Sequence, residues 1–572
     1  MKISNIILTG SFALAALLSC EKNTTKPHDQ NPGDTNTATN GDTNMYTWTN
    51  HDIQITELSG EKVFWNVTLD ELFVPRGVNY FHIIPANGGY QDRFFGTSVF
   101  DENYTRQIFR KLKAKGYNTV RFFMDSCNDD PMCIGNSGGN GLNGDYIDNI
   151  VRTMEIARDE GIYLMLTSND LPSQGGYWDI SNQGANEQFA GYRNAHYLTP
   201  KGIESAQVYW NDLLSAMQAR NAPFEAVFAW SILNEQWYFR DQPPFSLTSG
   251  AVTCADGHTY NMGSTADKKE MALSGVILYI DSVRAVISRY DADALVTMGF
   301  FAPDYPNPYR IGDFKYVETD GLLDRANLDF FDFHAYPGAE PLDELAQNFG
   351  MIEYTAKPVI MGEFGAFINR YSTADFARDA VQAWMAGSCE YGYDGWLYWG
   401  LYRAPEAIGD ATWSFFDADT QIFKGLAPVN YPDACDPALL PPENIALHKT
   451  VTASAYLAGE EPEKAVDGNY STQWGAGAHP PQWIQIDLGT GYNLWLIKLY
   501  VAQYPAGITE HSLEAKTQSG SWEVLENFSG YTDEGDILEY HFTGTNSYRY
   551  IRVSTVSSPS WVAWKEIEVF GE

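Results

Sequence analysis

The chain has 572 residues, of which 73 are acidic and 37 are basic, giving a formal net charge of −36. This charge excludes nucleic acid and anionic lipid surfaces as main partners, because phosphate recognition needs clustered lysine and arginine. Hydrophobic residues make up 44% of the chain, enough for sizeable cores, so wholesale disorder is excluded as well. The 16 tryptophans, 35 tyrosines and 31 phenylalanines favour ligands that combine apolar faces with hydroxyl groups, as sugars do.

The first 45 residues predict secretion followed by lipid attachment. A positive start and a short apolar run over 6–18 are typical of a signal peptide, and the run is too short to cross a bilayer. Residues 17–20 (LLSC) resemble a bacterial lipobox, which implies a lipoprotein signal peptide over 1–20 with a lipid on Cys20. Residues 21–45 are almost free of apolar side chains and predict a disordered tether. We expect a protein of the bacterial cell envelope, at the cell surface, that contacts the membrane only through this lipid. The alternative is an ordinary secretory peptide with an incidental cysteine.

The remaining cysteines give a partial disulfide pattern. Cys127 and Cys133 lie close together in a loop rich in glycine and asparagine, and we predict a local disulfide between them. No histidine accompanies them, which argues against zinc. Cys254, Cys389 and Cys435 cannot be paired from the sequence, and an odd thiol should stay free.

Short apolar runs alternate with amphipathic stretches between residues 46 and 430. Strands are predicted at 74–79, 119–124, 163–167, 226–233, 295–300, 330–334, 359–362 and 395–399. Helices are predicted at 102–115, 145–160, 203–220, 268–290, 341–355 and 373–391. Eight strands alternating with helices predict an α/β fold, a (β/α)8 TIM barrel with insertions. A doubly wound open sheet is the alternative, since counting strands does not distinguish the two.

One glycine pattern bears on that alternative. Gly139, Gly141 and Gly144 match the spacing of dinucleotide-binding loops. In such sites the glycines turn directly off the first strand of the sheet. Here they follow the second predicted strand at a distance, so we interpret the segment as a flexible loop.

A change of composition marks a second domain. Residues 431–443 are rich in proline and predict a linker. Beyond it, residues 444–572 show alternation of period two and no convincing helix, which predicts a β-sandwich.

Polar and aromatic residues gather at the carboxyl ends of the predicted barrel strands. They are Arg121, Asn169, Asn234, Glu235, His334, Tyr336, Glu363 and Trp399. In a (β/α)8 barrel these ends form one mouth, so Glu235 and Glu363 should face each other across it. A protonated acid facing an ionised carboxylate is what cleavage of a glycosidic bond needs. Charge and hydrogen bonds from Arg121 and Tyr336 would keep the attacking carboxylate ionised.

These strand ends carry a family resemblance. The segments are PRGVNY (75–80), GYNTVRFF (116–123), AVFAWSILNEQ (226–236), DFFDFHAYPG (329–338), KPVIMGEFGAF (357–367) and GWLYWG (395–400). They resemble clan A glycoside hydrolases, most closely family 5, in the family's order along the barrel. Family 5 members often carry a histidine at the end of the third strand, whereas this chain reads TSND over 167–170.

The resemblance implies a role for each residue. Glu235 would be the acid/base and Glu363 the nucleophile of a retaining double displacement that needs no cofactor. Asn234 would hold the sugar 2-hydroxyl, and Trp399 would form the floor of the subsite for the reacting sugar. The remaining expected substrate contacts are Arg121, Asn169, Trp237, His334 beside the acid/base and Tyr336 beside the nucleophile.

The C-terminal segment resembles a second family. The strings over 463–489, 548–554 and 564–571 are similar to the discoidin or coagulation-factor C-type fold of carbohydrate-binding modules of family 32. The resemblance implies an all-β discoidin-like β-sandwich with a structural calcium ion near Asp467, Asn469, Thr472 and Glu566. Trp474 is expected in the core, and His479 and Trp561 are candidate sugar contacts.

Together these patterns predict a monomeric, lipid-anchored retaining β-glycoside hydrolase. The expected substrate is a polysaccharide or oligosaccharide, a β-mannan or β-glucan cut internally. Two alternatives stay open: an exo-β-glycosidase acting on oligosaccharides, with the insertion at 242–262 closing one end of the cleft, and a non-catalytic glycan-binding surface lipoprotein.

Overall fold

The computed structural model describes residues 51–81, 83–86, 89–92, 94–124, 133–190, 192–301, 315–337, 341–368, 370–371, 373–402, 412–415, 421–435, 444–470, 472–542 and 547–571. The predicted signal peptide, Cys20 and the tether lie outside these residues, so lipid attachment stays a prediction. Cys127 also lies outside them. Cys133 belongs to a disulfide.

A small antiparallel sheet precedes the first domain's main sheet. It consists of β1 (Ile53–Leu58), β2 (Glu61–Asn66) and β3 (Glu71–Leu72). Phe64 packs edge to face against Phe228 and Phe330 at centroid distances of 5.2 and 5.0 Å. The small sheet therefore covers aromatic side chains in β9 and directly before β16 of the main sheet.

The strands between residues 76 and 402 build that main sheet and several hairpins. They are β4 (Arg76–Phe81), β5 (Ile83–Ala86), β6 (Gly89–Asp92), β7 (Thr119–Phe123), β8 (Tyr163–Thr167), β9 (Val227–Ser231), β10 (Tyr238–Phe239), β11 (Ala251–Thr253), β12 (Thr259–Asn261), β13 (Leu295–Thr297), β14 (Gly299–Phe300), β15 (Lys315–Tyr316), β16 (Phe331–Phe333), β17 (Val359–Phe364) and β18 (Tyr393–Tyr402). Each of the eight predicted strands is present, within a few residues of its predicted bounds.

The main sheet is parallel and nearly closed. Its order is β13-β9-β8-β7-β4-β18-β17-β16-β14, with every neighbouring pair parallel. The two edge strands β13 and β14 are separated along the chain by Met298 alone, so one extended segment pairs with both ends of the sheet. A doubly wound sheet reverses its strand order at a switch point, whereas this order runs in one direction around the sheet. The arrangement is compatible with the predicted (β/α)8 barrel.

Helices follow most of the strands. They are α1 (Glu102–Lys113), α2 (Gly144–Glu160), α3 (Tyr177–Asn182), α4 (Tyr192–Leu198), α5 (Pro200–Gln218), α6 (Thr265–Tyr290), α7 (Leu322–Arg325), α8 (Leu342–Phe349), α9 (Ala374–Ser388) and α10 (Gln421–Gly425). Capping residues fix their starts: Asn143 accepts a hydrogen bond from the Tyr146 amide, and Thr199 accepts one from Gly202. Gly144 of the dinucleotide-like glycine pattern thus begins an ordinary capped helix.

Helix α6 is long and apolar enough to cross a membrane by composition alone. Its buried side chains, among them Val276, Ile280 and Ile287, belong to the core cluster of the first domain. Packing against α5 and α4 explains its hydrophobicity, so we interpret α6 as a core helix.

The structure places the end of the first domain later than the sequence suggests. The predicted linker starts at residue 431, but Tyr431 and Ala434 are buried in the core of the first domain. Cys435 forms a disulfide with Cys389 at the end of α9, while Cys254 is free and buried. The domain therefore extends at least through Cys435, because side chains and a covalent bond hold this segment to the rest of the first domain.

The C-terminal domain is a β-sandwich with its own core. Its strands are β19 (Thr450–Ala453), β20 (Trp474–Gly475), β21 (Gln482–Val501), β22 (Gly507–Lys516), β23 (Glu523–Thr532), β24 (Ile537–His541), β25 (Ser547–Ser557) and β26 (Ala563–Gly571), all paired antiparallel. Trp474 is fully buried in this core, as predicted. The only described helix here is a 3-10 turn at Pro462–Ala465.

Residues 46–572 form one compact unit, and aromatic side chains join the two domains. Phe376 at the start of α9 contacts Tyr470 and Tyr500 of the sandwich at centroid distances of 5.0 and 5.1 Å. Both tyrosine hydroxyls donate to the Glu568 carboxylate. These aromatic contacts, with both hydroxyls hydrogen-bonded, pack the sandwich specifically against α9 of the first domain.

Candidate active site

Six of the predicted site residues meet at the carboxyl edge of the parallel sheet. Arg121 lies in β7 and Glu363 near the end of β17. The other four follow their strands directly: Asn234 and Glu235 after β9, and His334 and Tyr336 after β16. Parallel strands bring their carboxyl ends to one edge, which is why residues 242 positions apart along the chain come into hydrogen-bond contact.

Glu363 is held by two hydrogen-bond donors. Arg121 Nη1 donates to its Oε1 at 2.8 Å, and the Tyr336 hydroxyl donates to its Oε2 at 2.9 Å. Only 6% of the Glu363 side chain is exposed. Both carboxylate oxygens therefore have fixed positions, and the carboxylate is oriented in the way an attacking group requires.

Arg121 organises the surroundings of Glu363. The side chain is fully buried, and it also donates to Asn79 Oδ1 and to Asn234 Oδ1, each at 2.8 Å. Its Nε lies 3.8 Å from Asp332 Oδ2. The buried guanidinium thus links one catalytic candidate, Glu363, to the amide of Asn234 beside the other.

Gly362 makes room for this network. Its amide donates to Asp332 Oδ1 at 2.9 Å, and a Cβ at residue 362 would lie 2.0 Å from that oxygen. Any larger residue would displace the buried carboxylate beneath Arg121, so the glycine is required by close approach.

His334 lies between the two glutamates. Its Nδ1 donates to Glu235 Oε1 at 2.9 Å and lies 3.4 Å from Glu363 Oε2. One oxygen of each glutamate and a ring nitrogen of His334 all fall within 4.8 Å of one another. Retaining glycosidases hold their two carboxyl groups about 5–5.5 Å apart, whereas inverting enzymes leave room for a water between them.

The protonation states of Glu235, His334 and Glu363 depend on one another. Against the effect of its burial, the charges of Glu363 and Asp332 raise the pKa of His334 to about 10. Burial raises the pKa of Glu363, and the charge of Glu235 adds to that shift although His334 and Arg121 oppose it. Burial also opposes ionisation of Glu235, but the hydrogen bond and charge of His334 lower the pKa of that carboxyl. In the substrate-free protein the cluster's proton is therefore on His334, and a role as acid for Glu235 requires the proton to move to it.

Glu235, His334 and Glu363 also have the spacing of a metal site. The cationic guanidinium of Arg121, 2.8 Å from Glu363, opposes a second positive charge there. The arrangement is better suited to proton transfer and nucleophilic attack than to holding a divalent ion.

The other three predicted contacts are half-buried residues on three separate segments. Trp399 is half-buried in β18 and packs edge to face on Phe123 at 5.7 Å. Asn169 is half-buried beyond the end of β8. Trp237 is half-buried, with the Arg193 guanidinium 4.2 Å and the Lys315 ammonium 5.0 Å from its ring centroid. Sequence reasoning missed Arg193 and Lys315, because both come from segments outside the parallel main sheet.

The loop predicted to bind calcium has an all-oxygen lining. Thr472 Oγ1 donates to the Asp467 carboxylate at 2.8 Å and lies 2.8 Å from the Asn469 carbonyl. Glu566 is fully buried, and its Oε2 has no hydrogen-bond partner among the described residues. Burial and the charges of Asp467 and Glu568 raise the pKa of Glu566 to about 9. A buried carboxylate oxygen that has no hydrogen-bond partner among the described residues, next to other oxygen atoms that can ligate a metal, fits a bound calcium ion.

A groove of about 520 Å³ opens on the C-terminal domain. Among its lining residues are both sugar-contact candidates, His479 and Trp561. Trp561 is 54% exposed and Tyr504, also in the lining, is 90% exposed. Glu460 and Gln503 add polar groups to the same groove. Exposed aromatic faces beside hydrogen-bonding side chains are the chemistry of a sugar-binding surface.

The family models decide the identity of this domain. Residues 450–567, which run from β19 into β26, match the F5/8 type C domain. This segment is an F5/8 type C domain. No curated protein matches the chain.

Several solved structures of carbohydrate-binding modules are similar to about a fifth of the chain. Chitosan-binding module 1 of a chitosanase/glucanase from Paenibacillus sp. IK-5 is 29% identical, with 23% of this chain and 100% of the module covered and a TM-score of 0.21. Module 2 of the same enzyme, in complex with chitotriose, is 32% identical, with 22% and 100% covered and a TM-score of 0.20. A family 32 module from Clostridium perfringens NanJ, in complex with galactose, is 18% identical, with 22% and 93% covered and a TM-score of 0.20.

The groove of the F5/8 type C domain was only partly predicted from the sequence. The groove is lined by side chains from several loops, including Leu457, Tyr504 and Trp561. Tyr504 and Glu460 were missed by sequence reasoning, because nothing in their local patterns shows that these distant loops converge.

Proposed function

We propose that the chain is a retaining β-glycoside hydrolase of the clan A type, built on a (β/α)8 barrel and assisted by a sugar-binding module. The observation that carries this proposal is the pair Glu235 and Glu363, with carboxylate oxygens within 4.8 Å of each other. The donors Arg121 and Tyr336 fix Glu363 in place. That separation and orientation suit a double displacement through a covalent intermediate.

The proposed reaction has two steps. Glu363 attacks the anomeric carbon as Glu235 gives a proton to the glycosidic oxygen, so the carbon–oxygen bond to the leaving group breaks and a glycosyl ester forms. Glu235 then takes a proton from water, the water oxygen attacks the anomeric carbon, and Glu363 leaves as a carboxylate. Arg121 and Tyr336 stabilise the negative charge that returns to Glu363, and Asn234 would hold the sugar 2-hydroxyl.

The proposed substrate is a β-mannan or β-glucan cut internally. Hydrolysis is tested on mannan, glucomannan, mixed-linkage and β-1,3-glucans, with products separated by chromatography and the first anomer observed by proton NMR. We expect a ladder of oligosaccharides released as β anomers. Release of monosaccharide alone supports the exo-acting alternative, α anomers contradict the double displacement, and binding of glycans without any cleavage supports the non-catalytic alternative.

The groove of the F5/8 type C domain is the proposed second sugar contact. We expect Trp561→Ala to weaken retention on the cognate insoluble glycan about tenfold, because stacking on the indole is lost. Tyr531→Ala is the matched control, since Tyr531 is 67% exposed on the same domain and lies outside the groove. Retention is measured as depletion of the protein from solution, with each variant made in the Glu363→Gln background. Unchanged retention of the Trp561→Ala variant rejects the groove as the contact.

Asp467, Asn469, Thr472 and Glu566 are the proposed calcium ligands, and the ion would compensate the buried carboxylates. Saturating calcium is expected to stabilise the folded chain by about 2–4 kcal/mol relative to the chelated protein. A melting temperature that does not respond to EDTA and calcium contradicts this site.

A further inference from the structure

Two cations and two aromatic rings lie beside Glu235. We name Arg193, Trp237, Phe301 and Lys315 the cationic cluster. The Lys315 ammonium lies 4.0 Å from the Phe301 ring centroid and 5.0 Å from that of Trp237. Arg193 covers the Trp237 ring at 4.2 Å. The cluster therefore concentrates positive charge at one side of the site in a chain whose net charge is −36.

Backbone pairing fixes the cluster next to the acid candidate. Strand β15 pairs antiparallel with β10, which places Lys315 opposite Phe239, four residues beyond Glu235. Gln236 bridges to Phe300, which holds Phe301 beside Trp237. Lys315 is thus presented by regular backbone hydrogen bonding and not by a lone flexible loop.

The position of the cluster relative to the reaction follows from the proposed function. The acid gives its proton to the oxygen of the leaving group, so residues around Glu235 border the leaving-group side of the cleft. Glu363 and its donors Arg121 and Tyr336 border the anomeric carbon. The cationic cluster therefore faces the sugar beyond the scissile bond.

The two cations differ in their partners. Arg193 Nη2 binds Asp170 Oδ2 at 2.8 Å, which neutralises it. Lys315 is half-buried and has no carboxylate within salt-bridge distance among the residues that the structure describes. Aromatic faces compensate only part of the lost hydration of an ammonium group. An anion from outside the chain would complete its surroundings.

We propose that the leaving-group side of the cleft binds an anionic substituent, a carboxylate or sulfate on the sugar beyond the scissile bond, through the Lys315 ammonium. This inference rests on the proposed function, because that function assigns the leaving-group side. It makes the substrate an acidic or acid-substituted β-glycan.

Charge coupling to Glu235 gives the anion a second effect. After burial and His334, Lys315 is the next group that influences the pKa of Glu235, and it favours the ionised carboxylate. An anion paired with Lys315 offsets this charge, so Glu235 more readily takes up the proton that it must donate. Binding an anionic substituent thus favours the protonation state needed for cleavage.

Aryl β-mannobiosides and β-cellobiosides test the inference. Their leaving groups are 3-carboxyphenol, 3-sulfophenol and the uncharged, equally shaped 3-carbamoylphenol. For each enzyme the measured quantity is the ratio of kcat/KM for an anionic substrate to kcat/KM for the carbamoyl substrate. For one or both anionic substrates, we expect this ratio to be about tenfold higher in the wild type than in Lys315→Met. Lys315→Arg should keep the preference, and 0.5 M NaCl should reduce it. Lys62→Met, on the small N-terminal sheet, is the control.

The carboxylate arm and the sulfonate arm, which stands in for a sulfate, identify which anion is bound. The same anionic-to-neutral ratio in wild type and Lys315→Met overturns the inference while leaving the glycosidase function intact. If no aryl glycoside is cleaved, the proposed function fails separately. The inference is then tested by calorimetric titration with three ligands: methyl β-D-glucuronide, the 6-sulfated methyl β-D-glucoside and methyl β-D-glucoside. The inference is supported if an anionic glycoside binds more tightly than methyl β-D-glucoside and this difference is lost in Lys315→Met. Equal binding of all three ligands overturns the inference.

Discussion

Replacing Glu363 with alanine is expected to lower kcat on the cognate glycan by about 10⁵-fold, because the covalent intermediate can no longer form. The carboxylate is the group that Arg121 and Tyr336 hold in place, so the variant leaves the binding surface in position and removes the attacking oxygens. Added azide should enter the space left by the side chain and give the α-glycosyl azide, the inverted product. Product NMR with and without azide is the measurement.

Two companion variants separate catalysis from folding. Glu363→Gln keeps the shape of the side chain and an oxygen that can accept from Arg121, so a similar loss of activity with an unchanged melting temperature assigns the effect to chemistry. Glu344→Ala, on the exposed surface of α8, is the matched control and should retain full turnover. Turnover of Glu363→Ala within tenfold of wild type, or a β-glycosyl azide as product, removes Glu363 from the nucleophile's role.

The sequence predicted the main contacts of this site because they lie on regular elements. Apolar runs located the strands, and parallel strands carry their end residues to one edge, so the contacts of Glu363 with Arg121 and Tyr336 were predictable from position alone. The family resemblance, and not strand position, implied that His334 lies near Glu235; His334 Nδ1 and Glu235 Oε1 are 2.9 Å apart. Asn79 and Asp332 lie within apolar strands, where period and composition predict core; their role in holding Arg121 depends on how the strands are ordered in the sheet and was not predictable.

Contacts made by loops were harder to predict from the sequence. Lys315 reaches the site because β15 pairs with β10, a pairing between two-residue strands that no apolar periodicity reveals. Tyr504 and Trp561 converge on one groove from separate loops of the F5/8 type C domain, and only Trp561 was predicted. The domain boundary was misplaced for a related reason: prolines at 432 and 437 predict a linker, but burial of Tyr431 and the Cys389–Cys435 disulfide hold the segment to the first domain.

Replacing Glu235 with alanine is expected to give a loss that depends on the leaving group. Cleavage of the polysaccharide should fall by about 10³–10⁴-fold, since its alkoxide leaving group needs a proton. A 2,4-dinitrophenyl glycoside needs no such proton, so glycosylation of Glu363 should proceed at close to the wild-type rate and the covalent intermediate should accumulate. Added azide should then speed turnover and give the β-glycosyl azide. The pre-steady-state burst of dinitrophenolate measures the first step separately from the second.

The pH profile of the same variant tests the shared proton. In the wild type, activity should fall at low pH as Glu363 takes up a proton, and burial, which raises the pKa of this carboxyl, shifts that loss to higher pH than for an exposed glutamate. Activity should fall again at high pH as the cluster loses the proton that His334, with a pKa of about 10, holds beside Glu235. With the dinitrophenyl substrate, Glu235→Ala should keep the acidic limb and lose the alkaline one, because only the nucleophile's ionisation still matters. An alkaline limb that persists in the variant would show that the proton serves another group than Glu235, and the assignment of the acid would then fail.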